Sequence, residues 1–459
     1  MAHALFSMTE NGRLSAAVTE QTFEQIQTLP ESTPVPAGHA FELYCPVWAE
    51  RPSFSKPDNG KTHALGVTAK CNADTELGDA IAARTASTSL GLNKASTLSM
   101  ALVSTSALIT GSGIEHPTEN GFTFMRPYGV PCLTGSSIKG ALRSAAENRA
   151  LFDPDGGWSM ADVWWLFGWE SQADYWKTTE NSNPQEDCAA AFQQWLNSDS
   201  PSLISATALL DELGKSDALG ALRDGSSVVR EALSFKGLVD FWDMPLPNAT
   251  PAVDIMTPHY SSYYKGESAP NETDNPIPIA FLVMAAGASG RLTMQWQGDR
   301  PGLSDIEAVN QLRTNWRAML EDLVNDVIKW DGFGAKTAVG YGRFTVDIDQ
   351  QEDDEARLLE AQNAILEKQQ QQRAAELKST MGEEQYATFA LREQFLSGNL
   401  NGTDAINELI RSATGNWSES DRRVLAELAR EIYAANKVGK NPQKRRKTLL
   451  RDLLPEDSQ

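Results

Sequence analysis

The order of apolar patterns along the chain predicts an α+β fold. A run at Leu98–Ile109 predicts a strand that is buried on at least one face, and a periodic run at Ile306–Ile328 predicts a helix. After this helix, Gly340–Val346 alternates like a strand. Between these elements lie a helix that starts near Gly135, a strand at Ser234–Trp242, and two strands predicted to pair with each other across a short turn, Ile277–Ala285 and Gly290–Trp296. Strand, helix, strands, helix, strand is the order of the split βαβ, ferredoxin-like plan.

Composition divides the chain into three predicted regions. Residues 1–88 form a predicted irregular N-terminal region: residues 1 to about 40 are polar and predict a loosely packed arm, and the proline and turn signals of residues 41–85 predict irregular structure with one or two short strands. Residues 89–348 form the α+β domain, which a helical insertion at about 150–232 interrupts. We expect the tryptophans of this insertion to lie in the core. Residues 349–459 predict a helical extension with a basic tail.

A glycine-rich segment, Trp330–Phe344, lies between the second predicted helix and the last strand. It contains four glycines together with Lys336, Tyr341 and Arg343. Glycine lets a backbone adopt positive φ and approach another molecule closely, and successive N–H groups in such a loop form an anion-binding surface. The tyrosine adds a flat face on which a base could stack. The segment therefore predicts a cradle for a sugar-phosphate chain.

Two other interpretations of this segment have to be weighed. A nucleotide-binding P-loop requires a preceding strand, a Gly-Lys pair and a following helix. Here Ala335 precedes Lys336, and the predicted order is helix, loop, strand. We therefore do not expect ATP binding, whereas an ordinary tight connection between a helix and a strand stays open.

A second glycine turn, Gly129–Arg143, opens the first predicted helix. Ser136 and Ser137 are predicted N-caps for this helix. The N-terminus of a helix carries partial positive charge and free N–H groups, and Lys139 adds a cation in the first turn. The turn therefore predicts a second phosphate site. The alternative is a plain capped helix on which Lys139 and Arg143 form a solvated stripe.

The charge of the chain is strongly acidic but unevenly distributed. The net charge is −21 and the pI is about 4.7, which disfavours nucleic acid because phosphate binding draws on Lys and Arg. However, residues 126–143 contain three cations and no acid, and residues 332–344 contain two cations and no acid. We expect such a protein to bind a strand along one path and to repel it elsewhere.

The cysteines and the termini limit the class of protein. Cys45, Cys71, Cys132 and Cys188 lie far apart and form no C-x-x-C pair, so we expect reduced thiols, no disulfide framework and no zinc site. The sequence has no run of eighteen apolar residues and no signal segment. A soluble cytoplasmic protein without metal or cofactor is the expectation.

The region beyond Asp349 predicts several helices. Gln351–Thr380 predicts an exposed helix, and Trp417–Lys437 is amphipathic with Ser418 as its predicted N-cap. The tail then becomes basic between Lys437 and Lys447. A basic tail either grips RNA or only keeps the end of the chain soluble, and the sequence leaves both interpretations open.

Together, Gly135–Arg143 and Gly332–Phe344 resemble motifs of the RAMP superfamily of CRISPR proteins. In that family a Gly-Ser-Ser-x-Lys-Gly-x-x-Arg turn opens the first helix and a glycine-rich loop follows the second. His116–Gly121 and Asp254–Tyr264 resemble one subgroup, the sixth subunit of the Cmr, type III-B, RNA-targeting complex. The resemblance covers roughly residues 90–346.

The resemblance implies a ferredoxin-like, RRM-like fold and a function in antiviral defence. It implies a noncatalytic backbone subunit that binds guide crRNA near its 3′ end, with target RNA and other RAMP subunits as further partners and no membrane. The residues that we expect to contact RNA are Arg126, Ser136, Ser137, Lys139, Arg143, His259, Lys336, Thr337, Tyr341 and Arg343.

Two alternative functions stay open at this point. Some relatives in the superfamily cleave CRISPR repeat RNA without metal by using a histidine, and His116 and His259 lie in the motifs quoted above. The other alternative is a protein-interaction scaffold that depends on the helical tail. The two cationic glycine loops count against the scaffold.

Overall fold

The computed structural model describes most of the chain, in two compact units. The described residues are 6–8, 14–16, 36–43, 45, 47, 58–71, 75–153, 156–176, 187–198, 201–212, 215, 217–257, 266, 278–300, 303, 306–400, 402–436 and 440–454. The units comprise residues 1–358 and residues 359–459. In the described part, no helix is long and apolar enough to cross a membrane.

The first unit contains both strands and helices, which occur in runs along the chain. Its strands are β1 (Phe6–Met8), β2 (Leu14–Ala16), β3 (Thr97–Ser104), β4 (Phe124–Met125), β5 (Val130–Leu133), β6 (Val239–Phe241), β7 (Met244–Pro245), β8 (Pro251–Met256), β9 (Ile279–Met284), β10 (Ser289–Trp296) and β11 (Phe344–Val346). Its helices are α1 (Gly60–Ala69), α2 (Thr75–Leu90), α3 (Gly135–Phe152), α4 (Met160–Phe167), α5 (Cys188–Leu196), α6 (Pro201–Glu212), α7 (Ala218–Arg223), α8 (Ser227–Ala232) and α9 (Glu307–Asp326).

A four-stranded antiparallel sheet forms the centre of this unit, with the strand order β11, β3, β10, β6. Along the chain, β3 precedes α3, and β10 precedes α9 and β11. Trp296 of β10 stacks on Trp316 of α9, with ring centroids 5.8 Å apart. Arg291 lies an odd number of residues from Trp296 on the same strand, so it faces the opposite side of the sheet. There it forms an ion pair with Asp354, at 2.6 Å.

Two predictions about the strands and the N-terminal region are wrong. Strands β9 and β10 do not pair with each other: β9 pairs with β8, and β10 pairs with β3 and β6. The short segment between them bonds to two other parts of the chain, because Ala285 N–H donates to Thr250 O and Gly287 N–H donates to Ser104 O. Residues 58–88, predicted to be irregular, contain α1 and most of α2, and small residues such as Ala64 and Gly78 form their buried positions.

The predicted insertion is helical, and its aromatic residues form a cluster. Trp164, Tyr175 and Phe192 are buried. The ring centroids of Tyr175 and Phe192 lie 4.6 Å apart, and those of Trp164 and Trp169 lie 4.8 Å apart. The prediction that the tryptophans of this region pack in the core is confirmed for Trp158, Trp164, Trp165 and Trp176.

The C-terminal region is helical, as predicted. Its helices are α10 (Ile348–Met381), α11 (Glu383–Leu396), α12 (Asp404–Ala413), α13 (Glu419–Ala435) and α14 (Lys440–Leu453). Ser418 is the N-cap of α13, as predicted, and its side chain accepts a hydrogen bond from Asp421 N–H. Within residues 359–459, buried residues of α11 to α14 form a separate core that includes Ile410, Leu425 and Ile432.

Candidate nucleic-acid interface

A cleft of about 690 Å³ lies where the two glycine-rich motifs meet. Three stretches of chain line it: the segment that follows β3, one face of α3, and the loop that follows α9. The lining residues are Thr110, Gly111, Ser112, Gly113, Ser137, Gly140, Ala141, Ser144, Ala145, Asn148, Trp330, Asp331, Gly332, Gly334, Ala335, Thr337, Ala338 and Arg343. The fold thus brings together two motifs that are far apart in the sequence.

The glycine-rich loop is pinned against the segment that follows β3. Ala335 N–H donates to Ile109 O at 2.8 Å, and Gly342 N–H donates to Ala107 O at 2.8 Å. A Cβ atom at Gly334 would lie 2.2 Å from Ile109 O, and Gly334 and Gly342 both have positive φ. These two glycines are therefore required by close approach and by backbone conformation. Lys336 also has positive φ, at 57°, a conformation that non-glycine residues seldom adopt.

Helix α3 presents small polar side chains to the cleft, not its cations. The cleft-lining residues Ser137, Ser144 and Asn148 recur at the spacing of one helical face. At 100° per residue, Lys139 and Arg143 project away from that face. The structure therefore separates these two predicted RNA contacts from the glycine-rich loop.

Arg143 is a buried structural residue, contrary to the predicted phosphate contact and to the solvated stripe. It is only 9% exposed. Its guanidinium donates to Glu147 Oε1 at 2.7 Å, Gly168 O at 3.0 Å and the Tyr175 hydroxyl at 3.3 Å. Burial of a cation is costly without such partners, so these bonds hold the helical insertion against α3.

Lys139 is half-buried on the same side of α3. Burial lowers the pKa of its ammonium group, and the neighbouring Arg143 lowers it further, while Glu170 raises it. It thus belongs to a mixed cluster of cations and carboxylates, and its role as an RNA contact stays a prediction.

The N-terminus of α3 is occupied by groups of the chain itself. Thr134 is the N-cap, and its hydroxyl accepts a hydrogen bond from Ser137 N–H at 3.2 Å. The predicted caps, Ser136 and Ser137, therefore lie two and three residues after the observed N-cap. The Gly135 N–H donates to Asp243 Oδ1 at 2.7 Å. A carboxylate thus takes the place at this N–H that we predicted for an RNA phosphate.

Lys336 and Tyr341 face the hairpin of β8 and β9. The Tyr341 hydroxyl donates to Asp254 Oδ2 at 2.6 Å, and this bond is the main reason that the pKa of Tyr341 rises to about 12. The Nζ atom of Lys336 lies 2.9 Å from Met256 Sδ and 5.5 Å from the ring centroid of Phe281. These contacts anchor the loop to the hairpin, and neither side chain lines the cleft.

Arg343 and Thr337 do line the cleft, as their motif predicted. Arg343 Nη2 donates to Thr337 O at 3.4 Å. Its Nη1 is buried and finds no hydrogen-bond acceptor among the described residues. A buried donor without an acceptor is costly, so this nitrogen is an unsatisfied group within the chain.

The cleft also contains residues that the sequence interpretation missed. Trp330 is 65% exposed and contributes to the lining, and Lys329 Nζ lies over its ring, 4.8 Å from the centroid. It is the first residue of the predicted glycine-rich segment, two positions before Gly332, and a large aromatic side chain at this place was a usable signal. Ser144 and Asn148 could have been found by extending the helical face from Ser137.

The other predicted residues lie elsewhere. Arg126 makes a two-point ion pair with Glu42, at 2.9 Å and 3.2 Å, and this hydrogen bonding raises the pKa of its guanidinium. His259 lies outside the described residues. His116 stacks on Phe41 with centroids 3.9 Å apart, and its ring nitrogens lie 3.0 Å from Phe41 O and 2.8 Å from the Thr118 hydroxyl. Burial lowers the pKa of His116.

The donor set of the described residues was also tested for a metal site. Within the ranges given above, no group of three or more His, Cys, Asp and Glu side chains is placed to hold a metal ion. Cys45, Cys71 and Cys132 are buried thiols, and burial raises the pKa of Cys71 to about 11 and that of Cys132 to about 12.

The chain is similar to CRISPR proteins in sequence. The "CRISPR system Cmr subunit Cmr6" of Pyrococcus furiosus is 27% identical over 244 residues, which is 52% of this chain and 64% of that protein. The alignment thus spans less than two thirds of this relative.

Two solved structures of CRISPR proteins are also similar to the chain, with lower sequence identities. A cryo-EM structure of the type III-B Cmr-beta complex bound to cognate target RNA contains a chain with a TM-score of 0.37 and 14% identity, covering 72% of this chain and 87% of that one. The crystal structure of Cmr6 from Pyrococcus furiosus gives a TM-score of 0.26 and 22% identity, covering 55% of this chain and 97% of that one.

The family assignment depends on the sequence profile. The profile of the RAMP superfamily matches residues 102–345, which is more than half of the chain and extends from β3 to β11. Both glycine-rich motifs and the whole cleft fall within this match. The chain belongs to the RAMP superfamily.

Proposed function

We propose that this chain is a noncatalytic subunit of a type III-B CRISPR effector complex and that it binds guide crRNA along the cleft. The observation that carries the proposal is that the two glycine-rich motifs line one cleft. Other RAMP subunits and, through the guide, target RNA are the proposed partners. The similarity to a Cmr subunit supports this assignment.

The chemistry of the cleft suits a single RNA strand. Phosphate and ribose oxygens accept hydrogen bonds from backbone N–H groups and from hydroxyl and amide side chains, and Ser137, Ser144 and Asn148 supply such groups. Arg343 supplies one cation to the lining, and Asp331 supplies one carboxylate. Trp330 supplies an exposed ring, and stacking of a base on an aromatic side chain contributes about 1–3 kcal/mol.

We further propose that the central sheet is a ferredoxin-like, RRM-like domain. Numbered by their order along the chain, the strands of this sheet lie as fourth, first, third, second, and one helix follows the first strand and another the third. This arrangement supports the split βαβ plan. In such a domain the cleft lies at the edge formed by the ends of β3 and the loop before β11.

The noncatalytic role is supported by the placement of His116. A general base must present a nitrogen to the proton that it removes. Both ring nitrogens of His116 face groups of the chain, and its ring is stacked on Phe41. It therefore has a structural role, and the nuclease alternative would have to depend on other residues.

A charge placed in the cleft tests the RNA-binding proposal. Ser144→Glu puts a carboxylate on the exposed cleft face of α3. For two charges about 7 Å apart, Coulomb's law gives about 0.6 kcal/mol at a dielectric constant of ~80 and about 2.4 kcal/mol at ~20. We therefore expect RNA affinity, measured by fluorescence anisotropy with guide RNA, to fall between about threefold and fiftyfold.

Ser412→Glu is the matched control, because Ser412 is an exposed helical serine that does not line the cleft. It should leave RNA affinity within about twofold of the parent chain. Equal losses in both variants would point to the overall charge and would refute the cleft as the binding site. Crosslinking with 4-thiouridine at either end of the guide tests the position, and a crosslink only at the 5′ end would contradict the 3′ placement.

A further inference from the structure

The exposed face of α14 carries a stripe of cations that the cleft does not use. Lys444, Lys447 and Arg451 are all exposed. At 100° per residue they fall within about 60° of one another around the helix, and at 1.5 Å per residue they extend along about 10 Å of it. Thr448, which is also exposed, lies beside them, about 40° from Lys444 around the helix.

The rest of α14 holds this face towards solvent. Leu453 is buried in the core of residues 359–459, and Leu449 and Leu450 pack against that core. Arg422 Nη1 donates to Leu453 O at 3.3 Å. The opposite side of the helix is therefore fixed by packing.

Arg446 has a different role from the other cations of this run. Its Nη1 donates to Asn436 O at 2.6 Å, and its guanidinium lies 4.8 Å from the ring centroid of Tyr433. These contacts join the C-terminal end of α13 to α14. Arg446 thus orients the helix, and its neighbours on the outer face remain available to bind.

The cations on the outer face have almost no acidic partners in the chain. Among the described residues, Lys444 and Lys447 form no ion pair. Arg451 lies 3.7 Å from the adjacent Asp452, in a pair that is exposed on both sides. Exposed pairs of this kind contribute little, so this one does not compete strongly with an external anion.

The composition of the face decides which polyanion fits it. Insertion into a bilayer requires an apolar face, and the apolar side of α14 is already packed in the core. Protein interfaces have an apolar centre with a polar rim, and the three cations and Thr448 provide no such centre. A phosphate backbone requires only cations, because binding is driven by the release of counterions.

We propose that Lys444, Lys447 and Arg451 form a second nucleic-acid-binding surface, which takes the phosphate backbone of a single strand without regard to sequence. This surface is separate from the cleft in the sequence and uses different chemistry. It does not depend on the function proposed for the cleft.

The experiment compares two triple variants of the full chain. K444Q/K447Q/R451Q removes the stripe, and K368Q/R373Q/R392Q removes three exposed helical cations from the same half of the sequence. The net charge changes equally in both. The probes are labelled oligouridine and oligothymidine of equal length, and anisotropy is measured across a series of salt concentrations.

For the stripe variant, the slope of log affinity against log salt should become shallower by about two, since each phosphate contact on a single strand contributes ~0.7. The control variant should keep the parent slope. Equal losses with RNA and DNA place the contact on the phosphate backbone alone, while a loss with RNA only assigns it to an RNA strand. Both results support the surface.

Unchanged slopes in the stripe variant would overturn the proposal. The proposal would also be overturned if the stripe variant kept its nucleic-acid affinity but lost binding to anionic phospholipid vesicles. The same holds if it kept that affinity but changed its oligomeric state, measured as the particle mass in light scattering. If the triple variant fails to fold by circular dichroism, K444Q/K447Q provides the same test with an expected change of about one to one and a half. Ser144→Glu should leave the contribution of the stripe intact, which separates failure of this surface from failure of the cleft.

Discussion

Adding one methyl group to each of two neighbouring glycines tests how the glycine-rich loop is built. A Cβ atom at Gly342 would lie 1.9 Å from Phe333 O, so the backbone would have to move by about 1.1 Å to reach a 3.0 Å contact. A Cβ atom at Gly340 would meet nothing within 4 Å. Both residues have positive φ, at 72° and 98°.

The difference between the two substitutions follows from these distances. An alanine at positive φ costs about 1–2 kcal/mol, and the lower entropy of the unfolded chain offsets about 0.4–1 kcal/mol of that. Gly340→Ala should therefore reduce the free energy of unfolding by about 1 kcal/mol. Gly342→Ala adds an overpacking cost of about 1–3 kcal/mol, so its total is about 2–4 kcal/mol.

Guanidinium denaturation followed by tryptophan fluorescence measures this difference. Eleven of the 12 tryptophans lie in residues 1–358, so the signal reports mainly on the unit that contains the loop. Equal losses of stability in the two variants would refute the role assigned to the close approach of Gly342 and Phe333.

Two further predictions concern Arg143, which was predicted to contact RNA, and His116, which was a candidate nuclease residue. The structure gives both residues contacts within the chain. Arg143→Met should lower the free energy of unfolding by about 3–5 kcal/mol, because Glu147 is left without its cation. Lys139→Met is the control and should lower it by less than about 1 kcal/mol. Denaturation of both variants measures the difference, and equal losses of stability would contradict the role assigned to Arg143. Burial lowers the pKa of His116 in the folded chain, so the folded state binds fewer protons than the unfolded state, and stability should fall as the pH falls through about 6.5. His116→Gln should remove this dependence between about pH 7.5 and 5.5, and a slope unchanged in the variant would assign it to other groups.

The elements of the central fold could be predicted because each has a strong apolar period. The predicted helix Ile306–Ile328 corresponds to α9 and the turn that follows it, and the predicted strand Leu98–Ile109 contains β3. Strand pairing could not be predicted in the same way. The choice of β9 between β8 and β10 is decided by bonds such as Ala285 N–H to Thr250 O, which join residues far apart in the sequence.

The N-terminal helices show a different limit. Helix α1 buries Gly60, Ala64, Leu65 and Thr68, and most of these side chains are too small to give a clear apolar period. Turn signals nearby, such as Asn59-Gly60, favoured an irregular interpretation. Tertiary packing against β8 and β9 decided the outcome.

For the candidate site, the sequence identified the two motifs but not the direction of their side chains. Residue types indicated phosphate binding by Lys139 and Arg143, whereas helical geometry directs Ser137, Ser144 and Asn148 to the cleft. Sequence spacing could have shown that these two sets lie on different faces of α3. It could not have shown which face meets the glycine-rich loop.

The placement of cations gives the acidic balance of the chain a physical meaning. The cleft is lined by hydroxyls, an amide, backbone groups, the ring of Trp330, the carboxylate of Asp331 and the single cation Arg343, so binding there should depend only weakly on salt. The outer face of α14 presents three cations and should give a steep dependence. With a net charge of −21, most of the remaining surface repels a phosphate backbone, which restricts non-specific binding. Binding measured at the cleft and binding measured at α14 should therefore differ in the steepness of their salt dependence.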